Sequence, residues 1–186
     1  MRVFLALELP MAVRSQLVLQ QFLLPLKRRQ PPESFHITLV FLGDAEASAL
    51  DELDAELSRL EISPFTLRIE GLALFGKDKA HNLHAKVTPS PELLALQEKL
   101  QRLARRAGFQ LQKRRFIPHV TLAYLKPDPL NQQELEVAVA QQAGFVSDPF
   151  QVTQVALFRS HLRSDGAEYD LLEIYPFSAG GRALKQ

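Results

Sequence analysis

Two periodicities of apolar residues alternate along the chain. Helical spacing runs from Pro10 to about Arg29 (Val13, Leu17, Leu24), over 45–60 (Leu50, Leu53, Leu57, Leu60), over 91–107 (Leu93, Leu96, Leu100, Leu103) and over roughly 130–142. Between these lie short runs rich in β-branched and aromatic residues, which read as strands. They cover 2–9, His36 to Asp44, Pro64-Phe65 to Phe75, 82–88, the stretch from His119, a run opening at Pro149-Phe150, and 168–175. Proline and glycine punctuate the order. Pro31-Pro32 stops the first helix, Gly108 ends the third, and Pro127 and Pro129 break the strand before the fourth. Turns are expected at Gly76-Lys77-Asp78 and at Gly166.

The order repeats. Strand, helix, strand, helix and Pro-Phe strand occur once from the N-terminus and again from near residue 80. Pro64-Phe65 echoes Pro149-Phe150, and Leu72-Ala73-Leu74-Phe75 echoes Val155-Ala156-Leu157-Phe158. The clearest echo is His36-Ile37-Thr38-Leu39 against His119-Val120-Thr121-Leu122. On a strand, alternate side chains share a face, so each His stands with its Thr while Ile37, Leu39 and Phe41, or Val120 and Leu122, turn to the core. The His and Thr of one motif sit roughly 6.6 Å apart along the strand, a spacing that brackets a phosphate-sized group. The duplication predicts an α+β fold of two pseudo-symmetric lobes. Largely antiparallel sheets face a central groove, helices lie outside, and 1–186 forms one cooperative bilobal domain.

Composition narrows the chemistry. The 186 residues are 46% hydrophobic and 23% charged, as in a globular domain with a real core. A formal net charge of +1 argues against coating nucleic acid by bulk charge, so contact with a polyanion must be local. With no cysteine, thiol nucleophiles, disulfides and cysteine-held metal clusters are excluded. A cytoplasmic home fits. The run Val3-Phe4-Leu5-Ala6-Leu7 is too short for a signal segment, and no stretch nears the roughly 20 apolar residues of a membrane-spanning helix.

Two histidines on facing strands suit proton transfer. Imidazole titrates near pH 6.5, so one ring can accept a proton while the other gives one. Thr38 and Thr121 would donate hydrogen bonds to the charge that develops between them. Zinc is the weaker alternative: no His-x-x-x-His spacing accompanies the pair, and His81 and His84 face opposite ways on a strand. His81 reads as a turn residue and His161 as a solvated hairpin residue. Phe4 and Phe41 read as core. The basic run Lys113-Arg114-Arg115 precedes the second motif, where Arg114 could hold a phosphate.

These motifs carry a resemblance. The paired His-x-Thr-Leu, the opening Arg2-Val3-Phe4-Leu5-Ala6-Leu7-Glu8-Leu9-Pro10, Pro32-Glu33-Ser34-Phe35-His36, Arg114-Arg115-Phe116-Ile117-Pro118-His119 and Leu157-Phe158-Arg159-Ser160 resemble the 2H phosphoesterase superfamily. Within it the chain is most similar to the RNA 2′,3′-cyclic phosphodiesterases, historically called 2′-5′ RNA ligases. The resemblance implies hydrolysis of RNA or nucleotide 2′,3′-cyclic phosphate ends to 2′-phosphates without metal or cofactor, with reversal to a 2′-5′ bond as a side activity. It implies His119 as proton acceptor, His36 as proton donor, and phosphate binding by Thr38 and Thr121. No membrane and no obligate protein partner are implied. Where many relatives place an aromatic residue, this chain has Asn82-Leu83-His84-Ala85, so His84 becomes the expected substrate platform. The alternative is a nucleotide- or RNA-binding module with a vestigial site. Intact His and Thr in both motifs favour the enzyme, because binding alone would be served as well by Arg or Lys.

Overall fold

The computed structural model describes residues 1–76, 79–126, 129–163 and 166–178. The expected turn residues Lys77 and Asp78 and the expected strand-breaking Pro127 lie outside them. In chain order the elements are β1 (Arg2–Glu8), α1 (Met11–Phe22), a short 3₁₀ turn (Pro32–Ser34), β2 (His36–Asp44), α2 (Ala47–Leu57), β3 (Phe65–Leu67) and β4 (Ile69–Phe75). The second half continues with β5 (Asn82–Val87), α3 (Pro91–Arg106), β6 (His119–Tyr124), α4 (Pro129–Gln141), β7 (Phe150–Val152), β8 (Gln154–Arg163) and β9 (Gly166–Pro176).

Local chemistry explains most boundaries. The first helix stops at Phe22 rather than near Arg29, because Pro25 disfavours helical conformation just before it and removes a donor. In α3, the Ser90 side chain accepts from the Leu93 amide, Pro91 occupies the first turn, and Arg105 and Arg106 sit by the negative C-terminal end of the helix dipole. Gly108 follows the cap at φ +95°, a conformation that needs no Cβ. The helix buries Leu93, Leu96, Leu100 and Leu103, each side chain worth about 1.5–3 kcal/mol on leaving water. Each Pro-Phe strand is split. Its first three residues leave the main sheet and form a separate two-stranded pair, β3 with β7. Gly166, expected in a turn, is the first residue of β9.

The main sheet has seven strands in the order β4-β5-β6-β2-β1-β8-β9, and every pairing between them is antiparallel. Without β9 the order is palindromic: β4, β5 and β6 mirror β8, β1 and β2. Each repeat lends its last strand to the other, so β4 pairs with β5 and β8 with β1. The two sheets expected from the duplication are joined in one, through the single pair Ile37↔Val120. Tyr169 on β9 hydrogen-bonds Tyr124 on β6, four strands away. In a flat sheet those strands would lie about 19 Å apart. The sheet therefore curls, and its two halves confront one another.

A bulge changes one face. Ala6 pairs with Thr38 and Leu5 with Val40, so Leu39 is an extra residue in β2. Beyond it the alternation slips by one. Phe41, expected in the core with Ile37 and Leu39, is 47% exposed instead, with the Arg2 guanidinium 4.8 Å above its ring.

Candidate active site

His36 and His119 are the first residues of β2 and β6. Each is anchored alike. Nδ1 lies 2.7 Å from a carbonyl oxygen two residues earlier, that of Ser34 for His36 and of Ile117 for His119. A carbonyl only accepts, so Nδ1 carries the hydrogen and Nε2 is the nitrogen left for chemistry. The antiparallel pair Ile37↔Val120 sets His36 against Thr121 and Thr38 against His119, all on one face. The four motif residues therefore meet at the seam between the two halves.

Their surroundings differ. His36 packs between aromatic rings: Phe4 and Tyr169 at 4.9 Å and Phe158 at 6.1 Å, centroid to centroid. Its pKa is lowered from 6.5 to about 4, chiefly by burial and in smaller part by His119 and Arg14, against the Ser34 carbonyl, which raises it. In this neutral ring Nε2 accepts from the Thr38 hydroxyl at 3.1 Å. Tyr169 is raised above the usual phenol range by burial and by its hydrogen bond to Tyr124.

His119 instead meets Phe75 edge-on at 5.0 Å and His84 edge-on at 5.2 Å. Beside it, Thr121 accepts a hydrogen bond from Asn82 Nδ2 at 3.1 Å. His84 is lowered to about 4 by burial, with His119 and Lys86 adding to the effect.

Thr38 and His119 line a cleft of about 600 Å³ together with Phe41, Phe75, Arg114 and Arg115. A shallower basin of about 400 Å³ adjoins it through Arg114 and Arg115, and adds Arg105 and Lys113. Arg114 thus lines the cleft with Thr38 and His119. His84 meets the His119 ring but does not line the cleft. It is 3% exposed and stacks at 3.9 Å on Phe75, which occupies the place at the cleft expected of His84. The pairing Ala73↔His84 draws β4 alongside and lets the Phe75 ring cover the imidazole.

His81 leads into β5, its amide donating to Phe75 O, and His161 pairs with Asp170 at 2.8 Å. Among the described residues no three of His, Asp and Glu form a group able to hold a metal ion. Sequence reading missed Tyr169 and Phe158, whose contacts with His36 depend on the curl of the sheet. Asn82 was findable: two residues before His84 on the same strand, it shares the face of that imidazole.

The profile of the "2'-5' RNA ligase superfamily" matches residues 11–163. A Thermus thermophilus protein named RNA 2',3'-cyclic phosphodiesterase is 31% identical over 189 residues, covering 93% of this chain and 88% of that one. A Bacillus subtilis protein of the same name is 36% identical over 95 residues, and there the match spans only about half of each chain, 50% and 52%. A crystal structure of a Thermus thermophilus protein superimposes with a TM-score of 0.77 at 28% identity, covering 97% of this chain and all of the other. With the family profile spanning both His-x-Thr motifs, the chain belongs to the 2'-5' RNA ligase superfamily.

Proposed function

We propose that the protein hydrolyses 2′,3′-cyclic phosphate ends of RNA or nucleotides to 2′-phosphates, without metal or cofactor. One observation carries this reading. Two histidines, each fixed by an Nδ1–H···O=C bond of 2.7 Å, stand with two threonines about a single strand pairing, beside a cleft lined by arginines. The names of the relatives support the substrate class.

In the proposed reaction, His119 takes a proton from water as the oxygen attacks phosphorus. The bond from phosphorus to the 3′ oxygen breaks, and His36 protonates that oxygen as it leaves. Thr38 and Thr121 donate to the non-bridging oxygens, and Arg114 holds the phosphate from the cleft side. With a 5′-hydroxyl in place of water as the attacking group, the same steps join the ends by a 2′-5′ bond and free the 3′-hydroxyl; run backwards, they cleave that bond and restore the cyclic phosphate. Residues 1–186 would act as one bilobal domain in the cytoplasm. No described helix is long and apolar enough to cross a membrane.

The depressed His36 favours a second reading of the roles. A neutral ring in the free protein is the form that accepts a proton. For His36 to donate, the phosphate anion must first raise it on binding. With the roles exchanged, His36 takes the proton in the neutral form it already holds.

The direct test offers the wild type a nucleoside 2′,3′-cyclic phosphate and a short RNA with the same end, in excess EDTA. The 2′-phosphate product is expected with both. Nucleotide binding with no hydrolysis of either substrate would instead identify a binding module. Loss of turnover in EDTA, restored by zinc or manganese, would overturn the two-histidine reaction.

A further inference from the structure

We propose that Asn82 is a positioning residue that commits the Thr121 hydroxyl to donating toward a bound phosphate, whereas Thr38 is committed to His36. The proposal rests on the two-histidine reading of the site.

A threonine hydroxyl has one proton to give and lone pairs that accept. Asn82 Nδ2 lies 3.1 Å from Thr121 Oγ1, and an amide nitrogen only donates. The contact fills an acceptor position of Thr121 and leaves its proton for something else. Thr38 is placed the other way. His36 has spent its Nδ1–H on the Ser34 carbonyl, so Nε2 accepts the Thr38 proton. One hydroxyl is ready for an anion, and the other must first be released.

The orientation of the Asn82 amide follows from burial. The residue is 7% exposed, and its Oδ1 is buried without a partner. Turned over, the amide would bury an unpaired NH₂ with two protons, and orphaned N–H groups are rarer than under-satisfied carbonyls. The backbone holds the residue in place. Asn82 pairs with Phe75 on one side and Tyr124 on the other, and the register shift between Leu83 and His84 sets it diagonally against Thr121. The matching position in the other repeat is Phe4, which pairs with Phe41 as Asn82 pairs with Tyr124. Phenylalanine has no donor, so the device belongs to the second motif alone.

Two near-isosteric changes separate donation from packing. In Asn82→Asp the carboxylate only accepts, draws the Thr121 proton to itself and sets a negative charge by the phosphate. In Asn82→Leu the hydroxyl is merely freed to turn. For a nucleoside 2′,3′-cyclic phosphate, kcat/KM should fall by about 10²–10³ in the Asp variant, the worth of one oxyanion donor. The Leu variant should lose about tenfold or less, well short of removing that donor. The ratio of Asn82→Asp to wild type should recover as pH is lowered, because a protonated carboxyl donates again. In a Thr121→Val background the gap between the two variants should shrink to what the added charge alone costs. If the Asp variant fails to fold, the cycle between Asn82→Leu and Thr121→Val decides, and its losses should be far from additive.

Equal losses in the Asp and Leu variants at every pH, or losses undiminished in Thr121→Val, would overturn the proposal. Equilibrium binding of a nucleoside 2′-monophosphate gives a readout independent of turnover. Weakening by Asn82→Asp well beyond that by Asn82→Leu, with most of the excess lost in the Thr121→Val background, supports it; equal weakening, or an excess unchanged in that background, sinks it. A wild type that hydrolyses no cyclic phosphate defeats the reading of the reaction, while this binding comparison still decides the role of Asn82.

Discussion

The two His-x-Thr motifs are nearly identical in sequence and unlike in environment. Both histidines use Nδ1 in the same way, on a carbonyl two residues back. Around His36 the neighbours are Phe4, Phe158 and Tyr169, which shield the ring in part. Around His119 and Thr121 they are Phe75, His84 and Asn82, so the second motif has polar neighbours within its wall. The strand beside each motif makes the difference. Phe4, Ala6 and Glu8 of β1 occupy the positions that Asn82, His84 and Lys86 hold on β5. A duplicated frame thus carries one dry wall and one polar wall, and proton transfer in one direction needs such an inequality.

Removing the histidines one at a time tests that inequality most strongly. His36→Ala and His119→Ala should each lower kcat by about 10²–10⁴, the usual contribution of a general acid or base. The losses should be far from additive in the double variant. A substrate with sulfur in place of the bridging 3′ oxygen then sorts the roles, because a thiolate leaves without a proton. The variant that regains activity on it lacks the acid. Recovery in His36→Ala supports His36 as donor, recovery in His119→Ala exchanges the roles, and recovery in neither removes both histidines from leaving-group protonation.

Opening the dry wall should erase part of the difference. Phe158→Ala admits water to His36, and its pKa should climb from about 4 back toward the 6.5 of an exposed imidazole. The corresponding limb of the kcat/KM profile should move up by as much as about 2 pH units. Phe75→Ala, on the other wall, should leave that limb in place. A profile unmoved by Phe158→Ala would show that another group sets the limb.

A smaller effect is expected at the basin beyond Arg114. Arg105→Ala with Lys113→Ala should cost several-fold in kcat/KM on an oligonucleotide with a cyclic phosphate end. The slope of log affinity against log salt should shrink by about 0.7 for each single-strand phosphate that no longer meets a cationic side chain. The mononucleotide should be unaffected. Equal losses on both substrates would mean that the basin does not track the RNA backbone.

The mildest prediction concerns stability. His36 and His84 are both held near pKa 4 in the folded chain and return to about 6.5 when it unfolds. Between those values the unfolded state binds more protons. The stability they contribute is therefore present above pH 6.5 and is lost as pH falls toward 4. Urea midpoints across that window should decline with acidity, and His84→Phe should flatten the decline. A midpoint independent of pH over this window would contradict burial of either ring.

Where the sequence spoke, it spoke through period and repetition. Leucines at helical spacing, the Gly108 stop of α3, and the doubled strand-helix order are local properties, and each appears in the fold. Pairing the motifs also needed only local rules, since a strand puts His and Thr on one face whatever surrounds it. The rest depended on contacts between residues far apart in the chain. The extra Leu39 in β2 turned Phe41 outward, and no local pattern marks a bulge that exists only against a partner strand. His84 went from expected platform to buried support because β4 brought Phe75 over it. Tyr169 reached His36 because the sheet curls across four strands, and the dryness that lowers His36 follows from that closure. Local periodicity selects the elements and the face each residue takes, whereas burial is a property of the assembled sheet. The histidines could be found in the chain alone, but their inequality arises only where distant strands meet.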